Sequence, residues 1–167
     1  MASNSRREWS SRMGPDDLIS AGVAGLIGGI AFAVLTARTT PEQLQKVGLL
    51  YGLAGSPRIG LFLHLNHSIV FGIVYARVVS YEPLHGYATR VGPGVAVGLA
   101  FSVVVWLVAA SVLMPTWISA VTSRSPPIPN FDLAFLAGHV VFGTVLGGGY
   151  PLLLSRMPGS SEERHTS

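Results

Sequence analysis

The side chains best suited to chemistry in this 167-residue chain are three histidines that lie in long apolar stretches. His64 and His67 are three positions apart and share one face of a helix, where Ser68 adjoins them. His139 lies in another apolar stretch at a similar depth, roughly 8 to 12 Å from the start at 1.5 Å per residue. Imidazoles that meet at one level can bind a transition metal, hold a haem or relay protons. Neutral imidazoles can instead form hydrogen bonds between helices and fix their register.

The rest of the sequence favours the structural role of these histidines. A zinc or iron site usually includes a carboxylate or a further ligand, and no Asp or Glu lies inside an apolar stretch. A haem needs room between facing histidines, whereas these stretches are rich in small residues. No cofactor is therefore expected, and a haem or transition metal held by His64, His67 and His139 is the alternative.

Other catalytic patterns are missing from the sequence. The chain has no cysteine, which excludes disulfides, thiolate metal sites and thiol nucleophiles. It has no HExxH or GxSxG motif, and no pair of carboxylates lies in an apolar stretch. These observations favour a non-enzymatic protein and leave the question open.

Composition places the histidines inside a membrane protein. About half of the residues are hydrophobic (49%), only 11% are charged and the mean hydropathy is +0.50. A soluble domain is about 25% charged. The 11 Lys and Arg residues are scattered along the chain, which excludes a nucleic-acid binder. An ordinary soluble domain and a disordered chain are excluded as well.

Four apolar runs are each long enough to cross the roughly 30 Å hydrocarbon layer as a helix. The predicted spans are residues 18–37, 59–79, 91–114 and 133–154. They form a membrane domain over residues 16–155, flanked by flexible polar tails at 1–15 and 156–167. The first run is longer than the core of a signal peptide, so we expect a retained span.

The distribution of positive charge predicts the orientation of these spans. Of the 11 Lys and Arg residues, seven lie on the side of the two termini and four lie on the other side. Because positive charge concentrates in cytoplasmic segments, both termini are predicted to be cytoplasmic. The expected location is the cell membrane.

The connections on the outer side are predicted to form short interfacial helices. Thr40 as N-cap and Pro41 at the first position start one helix, which runs to Ala54 and stops at Gly55. Pro115 is predicted to end the third span and to open a second short helix.

The fourth span carries its own start and end signals. Asn130 is the expected N-cap, and Asp132 suits the positive end of the helix dipole. Pro151, near the other end, is expected to bend or terminate the helix.

The two halves of the membrane domain resemble each other. Val70-Phe71-Gly72 parallels Val141-Phe142-Gly143 at an offset of 71, and three further matches follow at offsets from 69 to 74. We predict a tandem repeat with units at 18–79 and 91–154, each made of a span, a short outer helix and a span. Two spans per unit preserve the orientation, so the units would be related by an axis along the membrane normal.

Small residues at four-residue spacing form a stripe on each span. Lipid tails are as apolar as leucine, so spans associate through close backbone packing, which small residues permit. The stripes predict a tight four-helix bundle. The glycines expected at helix contacts are Gly25, Gly29, Gly72, Gly98, Gly143 and Gly147.

Two strings around the histidines carry a resemblance. The first is Tyr51-Gly52-Leu53-Ala54-Gly55-Ser56-Pro57 with His64-Leu65-Asn66-His67-Ser68, and the second is Gly138-His139-Val140-Val141-Phe142-Gly143. They resemble a family of small four-span membrane proteins from halophilic archaea, over roughly residues 18–155. Members are often named histidine kinase automatically, and the family has no established activity to carry over. No soluble stretch of this sequence is long enough for the ATP-binding domain of a kinase.

These features predict a multi-pass, non-enzymatic membrane protein that acts through helix packing with itself or with a partner subunit in the lipid bilayer. The alternative is a small transporter, or a metal- or haem-binding membrane protein. It would use His64, His67, Ser68 and His139 as an intramembrane cluster. No nucleic-acid partner is expected.

Overall fold

The computed structural model of the chain describes residues 13–53 and 56–157, which form helices and connecting turns without a β-strand. Ala54, Gly55 and most of both predicted tails lie outside these residues. The α-helices in chain order are α1 (Pro15–Thr39), α2 (Glu42–Leu49), α3 (Pro57–Val79), α4 (Leu84–Ala88), α5 (Val91–Val105), α6 (Met114–Val121) and α7 (Leu133–Leu154). A π-helix, Trp106–Leu113, joins α5 to α6.

Four helices in the described part of the chain are long and apolar enough to cross a membrane, with mean hydropathies from 1.4 to 2.5. Span 1 is α1, span 2 is α3 and span 4 is α7. Span 3 is the continuous 31-residue helix Val91–Val121. The prediction of four helices long and apolar enough to span a membrane is confirmed, and the all-helical architecture of the described residues is consistent with a multi-pass membrane protein.

The prediction that Pro115 ends span 3 is wrong, because the helix continues past it to Val121. The wider turn of the preceding π-helix relieves the clash between a proline ring and the backbone before it. Proline also lacks the N–H that would bond to the Ser111 carbonyl oxygen in an α-helix. That oxygen instead accepts the backbone N–H of Asn130 at 2.8 Å, which ties span 3 to the segment leading into span 4.

The predicted cap of span 4 is also wrong, because Asp132 takes the place expected for Asn130. Its Oδ1 accepts the backbone N–H of Phe135 at 3.1 Å, and its Oδ2 accepts the side-chain amide of Gln43. The carboxylate therefore suits the positive helix end and also fastens α2 to span 4. Pro151 lies inside α7, which continues to Leu154, so it does not terminate the helix.

The short helix α2 differs from the prediction at both ends. It begins at Glu42, and the Thr40 hydroxyl is buried without a hydrogen-bond partner among the described residues, so Thr40 is not its cap. It ends at Leu49, before Gly52, whose φ of 69° is the left-handed conformation that glycine adopts without steric cost. The helix is therefore shorter than predicted.

Spans 1 and 4 lie at the centre of the molecule. Span 1 packs against spans 2 and 4, and span 3 packs against span 4. Within the most apolar 18 residues of each span, 50% are buried in span 4 and only 22% in span 3. The order across the molecule is therefore span 2, span 1, span 4, span 3.

Glycines bring spans 1 and 2 into backbone contact. A Cβ atom on Gly25 would overlap the carbonyl oxygen of Ser68, and one on Gly72 would overlap the carbonyl oxygen of Ala21. One turn further along span 1, a Cβ on Gly29 would overlap the side chain of Ser68. A larger residue at these positions would separate the helices.

The contact between spans 3 and 4 has the same form. A Cβ atom on Gly98 would overlap the carbonyl oxygen of Gly143, and one on Gly147 would overlap the carbonyl oxygen of Gly94. A Cβ on Gly143 would overlap the side chain of Ser102. Both outer pairs of helices are therefore held at backbone distance by glycine and serine.

Spans 2 and 3 meet at one end of the molecule and separate at the other. Tyr75 of span 2 lies 5.4 Å from Phe101 of span 3 and 5.7 Å from Tyr150 of span 4, measured between ring centroids. The opposite end carries α2 and α6, and we call it the α2 end. There the space between spans 2 and 3 remains open.

Candidate functional site

A groove of about 660 Å³ occupies the space between spans 2 and 3 at the α2 end. Span 2 forms one wall and span 3 forms the other, where the small side chains of Ala109 and Ala110 leave room. Spans 1 and 4 form the floor. Most of the lining is aliphatic or aromatic, and its polar members are Tyr51, His64, His67, Ser68, Thr116, Trp117 and His139.

The ring of Phe32 organises the floor of the groove. Its centroid lies 4.7 Å from the imidazole of His64 and 5.1 Å from that of His139. Phe135 meets it edge-on, with centroids 5.2 Å apart. Span 1 thus places an aromatic ring between histidines of spans 2 and 4.

Each floor histidine is oriented by a backbone carbonyl group. His64 Nε2 lies 3.0 Å from the carbonyl oxygen of Gly29, across the contact between spans 1 and 2. His139 Nδ1 lies 2.9 Å from the carbonyl oxygen of Phe135 in its own helix. Both side chains are buried, at 9% and 8% exposure. A carbonyl oxygen only accepts, so each of these ring nitrogens carries the proton and donates it.

His67 lies on the wall formed by span 2, about one turn after His64, and pairs with Tyr51. The Tyr51 hydroxyl is 2.7 Å from His67 Nε2, and the two rings are stacked at 5.8 Å. Tyr51 is 54% exposed, so this pair marks the edge of the groove. The short segment after α2 therefore contributes a side chain to the site.

Trp117 lines the groove at the α2 end. Its indole Nε1–H donates to the carbonyl oxygen of Leu50 at 2.8 Å, which joins span 3 to the residue after α2. Two lining residues of the walls, Val70 of span 2 and Leu113 of span 3, are 54% and 58% exposed, so the groove is open between these spans. Its opening lies between spans 2 and 3, where lipid would surround the protein.

The predicted cluster is arranged as a groove lining and does not form a coordination sphere. His64, His67 and His139 all line the groove, and the Ser68 hydroxyl donates to the carbonyl oxygen of His64 at 2.8 Å. Over residues 13–53 and 56–157, no three His, Asp or Glu side chains converge on a position that could hold a metal ion.

Three residues of the groove were not predicted from the sequence to belong to a site. Phe32 is an ordinary apolar residue of span 1, and only its three-dimensional neighbours give it a role. Tyr51 and Trp117 carried a weak signal, because amphipathic aromatic rings are enriched near membrane interfaces. The sequence placed both residues in the short outer segments, and it did not indicate their partners His67 and Leu50.

Comparison of the chain with protein-family models, with curated proteins and with solved structures finds no match.

Proposed function

We propose that this protein binds one apolar molecule from the bilayer in the groove between spans 2 and 3, without changing it chemically. The groove itself is the observation that carries the proposal. Its volume of about 660 Å³ lies within the roughly 300–1,000 Å³ of typical ligand pockets. Its lining also has their character, with many aromatic and aliphatic side chains and few polar groups.

The size of the groove favours a single molecule with one hydrocarbon chain over a partner helix. An α-helix with its side chains is about 10–12 Å wide, so 660 Å³ accommodates about 6–8 Å of it, or roughly one turn. A transmembrane helix extends over about 30 Å. Association with a second copy or a partner subunit therefore does not account for the groove.

The proposal includes no resident metal or haem. His64 Nε2 and His139 Nδ1 each engage a carbonyl oxygen, and His67 Nε2 engages Tyr51, so the one nitrogen left on each ring is the atom that a metal or haem iron would bind in the cofactor alternative. The absorption spectrum and metal content of the purified protein test this point. A Soret band, or a stoichiometric metal that is lost in His139→Ala, would favour the cofactor alternative.

We also propose that the two halves are a duplicated unit. A Cβ added to Gly72 would meet the carbonyl oxygen of Ala21, and one added to Gly147 would meet that of Gly94 in the same way. A Cβ added to Gly25 would meet the carbonyl oxygen of Ser68, and one added to Gly98 would meet that of Gly143. These contacts align span 4 with span 2 at an offset of 75, one helical turn from the offset of 71 in the sequence match. At 75, His139 takes the place of His64, which supports a shared origin of the two floor histidines.

We expect both termini to be cytoplasmic, so that α2 and α6 lie on the outer side. The charge distribution supports this orientation, since seven of the 11 Lys and Arg residues lie on the side of the termini. A C-terminal reporter should be active only in the cytoplasm, and a reporter inserted after Tyr81, between α3 and α4, should behave in the same way. An extracellular signal from either position would reverse the orientation.

A photoreactive alkane tests the proposed binding. The full chain is placed in phosphatidylcholine vesicles with hexadecane that bears a mid-chain diazirine, and labelled residues are mapped by mass spectrometry. Labelling of Phe71 and Ala110 in the groove should saturate with probe and be displaced by unlabelled hexadecane. Labelling of Ile27 and Val34, which are 48% and 50% exposed on span 1, should rise linearly and serves as the control. A linear rise in the groove would contradict the proposal.

A further inference from the structure

We infer that the groove selects a lipid alcohol or phenol, whose hydroxyl group donates a hydrogen bond to the free ring nitrogen of His64 or His139. The inference rests on the proposed function and adds the chemistry of the ligand's head. It follows from which donors and acceptors of the lining are already used.

The two floor histidines present acceptors to the groove. A neutral imidazole has one N–H donor and one acceptor nitrogen. Each N–H donor already makes a hydrogen bond, because His64 Nε2 donates to the Gly29 oxygen and His139 Nδ1 donates to the Phe135 oxygen. The acceptors are therefore Nδ1 of His64 and Nε2 of His139. Both rings line the groove, one on each side of Phe32, so a hydroxyl group on the floor can bond to one or the other of them.

The other hydrogen-bond donors of the lining already have acceptors. The hydroxyl of Ser68 bonds to the His64 oxygen, that of Thr116 to the Val112 oxygen at 2.6 Å, and the indole of Trp117 to the Leu50 oxygen. The pair of Tyr51 and His67 holds one further donor, at the exposed edge and away from the floor. The floor thus lacks a donor and has two acceptors.

This imbalance distinguishes between classes of apolar molecule. A hydroxyl group brings the donor that the floor lacks, whereas the oxygen of an ether, ester or ketone can only accept and would face two lone pairs. A buried polar group without its partner loses binding energy. The remainder of the ligand should be a long hydrocarbon, because the walls are apolar.

Matched competitors test the inference on the full chain in phosphatidylcholine vesicles. The diazirine hexadecane is displaced with 1-hexadecanol or with 1-methoxyhexadecane, which has the same chain and cannot donate. We expect the alcohol to compete about tenfold more strongly than the ether. Equal competition would overturn the hydroxyl inference and leave the proposed function intact. Absence of saturable labelling with any probe would overturn the proposed function.

Variants locate the preference. His64→Phe with His139→Phe keeps an aromatic ring at each position and removes both acceptors, so the alcohol should lose its advantage while the ether competes as before. His85→Phe, in α4 at the opposite end of the molecule, is the matched control and should retain the preference. If the double variant loses both competitors through misfolding, the single variants decide, and each should lose part of the preference. An unchanged preference in every folded variant would overturn the inference.

Discussion

Replacing Gly98 by alanine is expected to destabilise the protein by about 1–3 kcal/mol, the usual cost of overpacking a close contact. The added methyl group would overlap the carbonyl oxygen of Gly143 and the backbone of Gly147. Neither is the flexible end of a side chain, so spans 3 and 4 must move apart. Unfolding in a titration with sodium dodecyl sulfate, followed by circular dichroism in mild detergent, measures the loss.

Gly92→Ala is the matched control, since Gly92 lies in the same helix and a Cβ there meets nothing within 4 Å. That variant should change the stability by less than about 1 kcal/mol, because alanine favours the helix while the following Pro93 disfavours the helical conformation of the residue before it. Gly25→Ala and Gly22→Ala form a second such pair in span 1, where Gly22 would make only ordinary contacts of 3.7 Å or more. Equal stability of Gly98→Ala and Gly92→Ala would contradict the described packing of spans 3 and 4.

Replacing Ala110 by tryptophan is expected to weaken binding of the alkyl probe about tenfold or more. Ala110 lines the groove on span 3, and an indole there would occupy the space that the ligand needs. Overpacking costs about 1–3 kcal/mol, and a tenfold change in affinity corresponds to about 1.4 kcal/mol. The measurement is the probe concentration that half-saturates labelling of Phe71.

Val108→Trp is the control for this substitution. Val108 belongs to the same π-helix, is 51% exposed and does not line the groove. Its variant should bind the probe as the wild type does and should be equally stable. Loss of binding in both variants would indicate a general disturbance of span 3, and binding retained in Ala110→Trp would place the ligand elsewhere.

The spans were predictable because membrane insertion imposes a strong physical constraint. An apolar run near 20 residues must form a helix in lipid, and each predicted span overlaps an observed one. The errors arose where tertiary contacts override local signals. Pro115 breaks an isolated helix, yet here a π-helix accommodates its ring and Asn130 takes up the freed Ser111 oxygen. Asp132 displaced Asn130 as a cap because it also binds Gln43.

The groove could not be predicted from the sequence. Small-residue stripes indicate that a helix packs closely, and they do not say against which neighbour. The separation of spans 2 and 3 depends on the choice of span 4 as the partner of both span 1 and span 3. The histidines were identified from their residue type and depth. Their roles became apparent only with Phe32 between His64 and His139, and with Tyr51 beside His67.

Counting bound molecules tests most directly whether the groove binds an apolar ligand. The wild type and the Ala110→Trp variant are equilibrated with 1-hexadecanol in phosphatidylcholine nanodiscs, and native mass spectrometry gives the number retained by each released chain. We expect one molecule per wild-type chain and far fewer per chain of the variant, because the groove has room for one alcohol molecule and the indole occupies part of that space. No retained molecule on the wild type, or the same number on both proteins, would contradict binding in the groove.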